Sequence, residues 1–158
     1  VAVEREECKL AALCELYSSL DITQAIIFVN TKRKCEWLTR MMIQKHFTVA
    51  AAHGAMTPSE LEAVVREFSS CSRSRVLVAT DMQDKGIDML QVSLVINYDL
   101  PTKRERYIRR IGRCGAFGRK GVSINFIATQ EDDHCMRDIV NFYHTEVVRM
   151  PHNVSGLL

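Results

Sequence analysis

The sequence has 158 residues, 47% hydrophobic and 25% charged, which is typical of one compact domain that buries a sizeable core. The absence of an apolar run of about eighteen residues excludes a predicted membrane-spanning helix. The formal net charge of +2 excludes a broadly basic surface. The acidic start of the chain is unlike a signal peptide, and we expect it to continue a larger chain.

Apolar spacing predicts alternating helices and strands along the chain. We predict helices over residues 4–20 and 31–45 and helices opening at Thr57, Thr102 and Thr129, and strands over residues 24–29, 48–52, 75–79, 92–97 and 122–127. The strands are short continuous apolar runs, as in strands buried on both faces. Strands joined by helices predict an α/β fold with a parallel sheet flanked by helices.

Three helix starts carry the pattern of a capping box, in which a threonine and an acidic residue three positions later exchange hydrogen bonds with backbone amides. The pairs are Thr57 with Glu60, Thr102 with Glu105, and Thr129 with Asp132. Pro58 also suits the first position of its helix. We therefore predict a capping box at each of these starts.

Polar loops follow several predicted strands. They contain Asn30 and Thr31, His53 and Gly54, and Thr80 with Asp81. The carboxyl ends of parallel strands share one edge of the sheet, where ligands usually bind. Amides, hydroxyls and helix N-termini in a row there favour a polyanion site. The alternative for each loop alone is a helix cap or a turn.

A basic block is the most unusual segment. Eight of the 21 lysines and arginines lie between Lys103 and Lys120, and Glu105 is the only acid among them. We expect Arg106, Arg110 and Arg113 to share one face of a helix and to present three guanidinium groups to phosphates. The alternative is a solvated helix face. No Gly-x-x-x-x-Gly-Lys-Ser/Thr loop is present, so the domain could contribute to a nucleotide site but not build one alone.

The six cysteines form no Cys-x-x-Cys pair and lack zinc-ligand spacing with the five histidines. Most of them lie among apolar residues, where a free cysteine packs like a small hydrophobe. We expect reduced thiols, an intracellular protein and no metal site.

Several strings resemble conserved motifs of DEAD-box RNA helicases. VSLVINYDLP (residues 92–101) and YIRRIGR (residues 107–113) are similar to the fifth and sixth helicase motifs. AIIFVNT (residues 25–31), FGRKGV (residues 117–122) and MPHNV (residues 150–154) resemble the translation initiation factor 4A branch. The resemblance covers residues 1–158 and implies the second, three-layer RecA-like lobe of an ATP-dependent RNA helicase, with the N-terminal ATP-binding domain absent from this chain.

The resemblance also implies the site residues. ATP would be approached by Gly86, Asp88 and Arg113, with Arg113 as the catalytic arginine finger, and Mg²⁺ would be held mainly by the N-terminal lobe. The RNA backbone would lie along Asn30, Thr31, Gly54 and Thr80. The implied partners are single-stranded RNA, the N-terminal lobe and a helical-repeat scaffold protein of initiation or splicing. The resemblance also implies a monomer without a membrane role, located in the cytoplasm or alternatively in the nucleus.

Departures from the family pattern leave two further functions open. Ala116 stands at the position of a second arginine finger, Arg109 at that of a histidine linking the lobes, and Leu61 at that of an RNA-contacting arginine; Lys85 also replaces an arginine. Arginine fingers contribute roughly 10³–10⁵ in rate. The alternative is therefore a catalytically impaired scaffold that binds RNA or protein. A stand-alone nucleic-acid-binding domain is a third candidate, although the aromatic stacking platform of single-strand binders is missing.

Overall fold

The structure is a computed structural model, and it describes residues 1–20, 22, 24–70, 75–82, 90–115, 120–154 and 156–158. A short 3₁₀ helix (Glu6–Cys8) leads directly into the first α-helix. The regular elements then follow in this order: α1 (Lys9–Ser19), β1 (Gln24–Phe28), α2 (Lys32–Gln44), β2 (Val49–Ala52), α3 (Pro58–Ser70), β3 (Arg75–Ala79), β4 (Leu94–Asn97), α4 (Arg104–Ile111), β5 (Val122–Asn125) and α5 (Gln130–Tyr143).

The five strands form one parallel sheet in the order β2-β3-β1-β4-β5. The central strand β1 pairs Ile26 with Leu77 of β3 on one side and with Val95 of β4 on the other. The connection after β1 leads to the edge strand β2 on one side, and the connection after the neighbouring strand β4 leads to β5 on the other side. The loops after β1 and β4 therefore lie at a topological switch point. Crevices beyond such points are the usual ligand sites of open α/β sheets.

Both faces of the sheet are buried, which produces the three predicted layers. Ile27 of β1 packs on one face with Leu13 of α1 and Leu38 of α2. Ile26, the preceding residue of β1, points to the opposite face and packs with Leu61 and Phe68 of α3. Because side chains alternate along a strand, a continuous apolar run is needed to cover both faces. A third apolar cluster joins α4 to α5 and contains Leu100, Tyr107, Met136 and Ile139.

Two of the three predicted capping boxes are confirmed. Thr57 Oγ1 accepts from the Glu60 amide at 3.2 Å, and the Glu60 carboxylate accepts from the Thr57 amide at 2.7 Å. Thr129 and Asp132 form the same reciprocal pair at the start of α5. The predicted box at Thr102 is wrong: α4 begins one residue later, its N-cap is Lys103, and no side chain caps it.

The first predicted helix also differs from the structure. Residues 4–5 lie outside the helix, Glu6–Cys8 forms a 3₁₀ turn, and the α-helix begins at Lys9. Lys9 is only 2% exposed, and its ammonium group lies 2.7 Å from the Glu6 carboxylate. The tight turn brings Glu6 over this buried lysine, an arrangement that a regular apolar stripe does not predict.

Within the described ranges all five cysteines are free, and Cys71 lies outside those ranges. Among the described residues, no group of three or more His, Cys, Asp or Glu side chains is placed to hold a metal ion. None of the helices found there is long and apolar enough to cross a bilayer.

Candidate functional site

The predicted RNA-contacting residues lie at the carboxyl edge of the parallel sheet, shortly after the strands. Asn30 follows β1, Gly54 follows β2 and Thr80 follows β3. The adjacent pairing of β2, β3 and β1 brings these three loops side by side. Gly86 and Asp88, predicted to bind ATP, lie outside the described residues.

Asn30 is exposed, but its side chain and its backbone amide both form hydrogen bonds within the domain. The side-chain amide donates to the Leu100 carbonyl at 2.8 Å, and its oxygen accepts from Arg110 at 2.8 Å. The backbone amide of Asn30 donates to the Asp99 carboxylate at 3.0 Å. Asn30 therefore fixes the loop after β1 against the loop after β4.

Thr31 is the N-cap of α2, where its hydroxyl accepts from the Lys34 amide at 3.2 Å. This is the helix-cap alternative that the sequence left open for this loop. The residue remains exposed, and the helix N-terminus behind it carries partial positive charge that favours an anion. Capping and an outward phosphate contact are compatible at this position.

Gly54 and Thr80 differ in exposure. Gly54 is exposed, and a Cβ atom built on it would meet no atom within 4 Å, so the protein itself does not require glycine there. Thr80 is 8% exposed, and its amide donates to the Ala52 carbonyl at 3.1 Å. Beside Gly54, His53 is buried with Nε2 3.5 Å from a Glu36 carboxylate oxygen.

The prediction that three guanidinium groups face outward is wrong for Arg110. Its side chain is 1% exposed and points into the domain, so it is not a surface cation. Nε and Nη2 donate to the two Asp81 carboxylate oxygens at 2.8 and 2.6 Å, a bidentate pair. Nη1 donates to the Asp99 carbonyl at 2.6 Å and lies 3.3 Å from the Asn97 side-chain oxygen.

These contacts define the Arg110 network, which comprises Arg110, Asp81, Asn97, Asp99 and Asn30. It joins the loops after β1, β3 and β4 to helix α4 through one buried guanidinium. Arg106, one turn earlier, is exposed and only 3.9 Å from Asp81. The predicted basic face of α4 therefore divides into one interior arginine and one surface arginine.

Two asparagines extend the Arg110 network into the next layer. Asn97 donates to Asn125 at 2.8 Å, and Asn125 donates to the Tyr107 hydroxyl at 3.1 Å. Burial raises the pKa of Tyr107, which keeps its hydroxyl neutral. Sequence reasoning missed Asp81, Asn97 and Asn125 as positioning groups; the only available signal was polar residues at the ends of otherwise apolar strands.

Arg113 lies just beyond the end of α4 and is half-buried. Its amide donates to the Arg110 carbonyl at 3.2 Å, and its carbonyl accepts from the Val92 amide at 2.8 Å. The Nε and Nη1 atoms of its guanidinium are buried. These bonds hold the backbone of Arg113 between the end of α4 and Val92.

Arg109 is exposed and donates from Nη2 to the Met82 carbonyl at 3.0 Å. A histidine at this position has a shorter side chain and would not extend as far toward the Met82 carbonyl. Leu61, at the position of a family arginine, is 7% exposed and packs into the core under α3. Ala116 and Lys85 lie outside the described residues.

A second ionic cluster borders the site. Asp99 accepts from Lys34 and lies 3.5 Å from the Lys9 ammonium, while Glu6 contacts both lysines. Burial opposes the charge on Lys34, but hydrogen bonds to Asp99 and Glu6 raise its pKa above the ordinary value. Burial likewise opposes the charge on Glu6, and hydrogen bonds from Lys34 and Lys9 lower its pKa. The cluster therefore keeps Lys34 charged beside Asp99.

Comparison with known proteins agrees with this geometry. Residues 8–118 match the family described as Helicase conserved C-terminal domain. The chain is 56% identical over its full length to the ATP-dependent RNA helicase eIF4A of Mycosarcoma maydis, and it covers 38% of that protein. The chain thus spans less than half of the curated relative it matches.

Solved structures give the same assignment. The C-terminal domain of the DEAD-box protein Dbp5 is 34% identical, with a TM-score of 0.86 over 95% of this chain and 87% of that one. S. cerevisiae Dbp5 bound to RNA and ADP BeF3 is 32% identical, with a TM-score of 0.84 over 95% of this chain and 40% of that one. The chain therefore belongs to the helicase conserved C-terminal domain family, in the form found in DEAD-box proteins.

Proposed function

We propose that this chain is the C-terminal lobe of an ATP-dependent RNA helicase, which clamps an RNA backbone and ATP against an N-terminal lobe. The observation that carries the proposal is the Arg110 network. The buried guanidinium of Arg110 donates to Asn30, a candidate RNA contact, and the Arg110 carbonyl accepts from the amide of Arg113. Movement of Arg113 toward a nucleotide would therefore be coupled, through Arg110, to the RNA-facing loop.

RNA would be held along the carboxyl edge by the exposed residues Thr31 and Gly54 and by the little-exposed Thr80, with Asn30 fixing the loop. Contacts of this kind reach phosphates and sugars and carry no base sequence. Gly54 leaves open space above the sheet edge that a sugar-phosphate backbone could enter. We infer sequence-independent binding of single-stranded RNA by one half of a two-sided clamp.

ATP fits the chain only in part. Arg113 supplies a guanidinium suited to the terminal phosphates, and Gly86 with Asp88 would also approach the nucleotide. No phosphate-binding loop occurs in the sequence, and the described residues contain no metal cluster. We infer that the N-terminal lobe holds Mg²⁺ and most of the phosphate contacts, and that this chain alone does not hydrolyse ATP.

We also infer the cellular setting from the relatives. Similarity to eIF4A favours a monomeric cytoplasmic protein of translation initiation, with nuclear mRNA processing as the alternative. The C-terminal domain of S. cerevisiae Dbp5 has been solved bound to Gle1 and IP6, which supports a protein partner for this chain. A helical-repeat scaffold protein and the N-terminal lobe are the partners we propose.

RNA binding by the chain tests the clamp. We expect weak binding of a uridine-rich single strand, with an affinity that falls as salt rises because phosphate contacts release counterions. Gly54→Asp should weaken binding about tenfold or more by placing a carboxylate against the RNA backbone, whereas Gly54→Ala should have a small effect. Asn141→Asp, an equal charge change on the exposed side of α5, is the matched control. Equal affinities of Gly54→Asp and Asn141→Asp would contradict the proposal.

A non-catalytic scaffold is the second candidate, and Leu61 favours it. Its burial in the core means that α3 presents no cation to RNA at this position. Ala116→Arg in the two-lobe protein separates the candidates, because a second finger should raise turnover about tenfold or more where the wild type is impaired. A wild type with RNA-stimulated turnover that Ala116→Arg leaves unchanged would exclude the impaired scaffold.

A further inference from the structure

Helix α2 carries an exposed stripe that the proposed RNA and ATP contacts do not use. The α2 stripe consists of Arg33, Trp37 and Arg40, spaced at i, i+4 and i+7, so the three side chains lie on one face. Trp37 is 36% exposed and is the only tryptophan in the chain. Large aromatic side chains left in solvent beside cations are typical of recognition surfaces rather than of ordinary helix faces.

The α2 stripe forms one wall of a cavity of about 580 Å³, which lies between α2 and the start of α1. Leu10, Tyr98 and Trp37 supply its apolar surface, and Glu7 lies at its rim. A volume of this size accepts a large side chain together with part of a backbone. The cavity is open to solvent, and the rest of the described chain does not fill it.

Opposite charges lie on the two sides of this cavity. Arg33 and Arg40 are exposed on the α2 side, and Glu7 is exposed on the α1 side. None of these three side chains forms an ion pair or hydrogen bond within the part of the chain that the structure describes. Glu6, by contrast, is already paired with Lys9 and Lys34. The unused charges therefore consist of two cations along α2 and one anion opposite them.

We propose that this cavity docks a partner protein through a short helical segment that inserts an apolar side chain between Trp37 and Leu10. Acidic residues one turn before and one turn after that anchor face Arg33 and Arg40. An aromatic or leucine anchor replaces water against the indole and leaves the guanidinium groups at the rim, as at protein interfaces with an apolar centre and polar edge. RNA is disfavoured because Glu7 would lie against its phosphates.

Trp37 makes the test direct, since its fluorescence and its indole ¹⁵N resonance report this site alone. The probe is a blocked helical peptide without tryptophan, with phenylalanine as anchor and glutamate one turn away on each side. We expect it to shift the Trp37 signals saturably. Replacing its phenylalanine with alanine should abolish the shift, and replacing both glutamates with lysine should weaken binding at least about fivefold.

Charge reversal of the chain provides the reciprocal arm. The double variant Arg33→Glu, Arg40→Glu should no longer bind the acidic peptide and should bind the lysine peptide instead. Arg137→Glu, on the exposed side of α5, should leave the affinity for both peptides unchanged. The proposal is overturned when acidic and basic peptides bind alike, when neither shifts Trp37, or when a uridine-rich RNA shifts Trp37 and the peptides do not. Thr31, a proposed RNA contact, also lines this cavity. RNA binding is therefore measured separately through Gly54→Asp, so that failure of the docking proposal and failure of the clamp are distinguishable.

Discussion

Removal of the Arg110 side chain should destabilise the domain more than removal of any surface arginine. Arg110→Met fills similar space but leaves the Asp81 carboxylate, 12% exposed, without its bidentate partner. It also leaves the Asn30, Asn97 and Asp99 oxygens without that donor. Breaking a buried ion pair by removing one partner costs about 3–5 kcal/mol. Domains of this size are stable by roughly 5–15 kcal/mol, so the loss is a large share of the total.

Urea unfolding measures this loss. With a slope of roughly 2 kcal/mol per molar, the midpoint should fall by about 1.5–2.5 M. Arg106→Met is the matched control, because it lies on the same helix, faces the same carboxylate at 3.9 Å and is 45% exposed. Its effect should stay within about 1 kcal/mol. Equal midpoints for the two variants would refute the interior role of Arg110.

Two further stability predictions follow from the helix starts and from Cys35. Thr57→Ala and Thr129→Ala should each lower the free energy of unfolding by about 1 kcal/mol, and Thr102→Ala, which caps nothing, by less than about 0.5 kcal/mol; equal losses in urea would contradict the observed caps. Burial raises the pKa of the Cys35 thiol to about 11, so stability is present below the ordinary value of 9.0 and is lost as pH rises through about 11. Cys35→Ala should flatten that alkaline loss, by on the order of 2 kcal/mol in urea titrations, and unchanged pH slopes would count against it.

The sheet and its layers could be predicted because the signals are local. Continuous apolar runs such as residues 24–29 need burial on both faces, and Ile26 and Ile27 indeed point to opposite layers. The caps at Thr57 and Thr129 succeed for the same reason, since donor and acceptor lie within one turn. At Thr102 the local pattern was present, but the helix starts one residue later, at Arg104.

The interior of the site could not be predicted because its contacts are distant in sequence. Arg110 meets Asp81 across 29 positions and Asn30 across 80, so helix spacing alone placed its guanidinium on the surface. The resemblance to DEAD-box helicases identified the relevant loops but not which side chains point inward. The cavity beside Trp37 depends on the approach of α1 to α2, which no motif records.

RNA-stimulated phosphate release by the two-lobe protein tests the central claim most directly. The wild type should hydrolyse ATP faster when single-stranded RNA is added. Arg113→Ala should abolish that stimulation, because the chain would no longer supply a guanidinium to the terminal phosphates. Arg137→Ala, an equal loss of charge on α5, should retain it. Wild-type turnover that RNA does not stimulate, or that Arg113→Ala leaves unchanged, would contradict the assignment of this chain as the arginine-supplying lobe of a helicase.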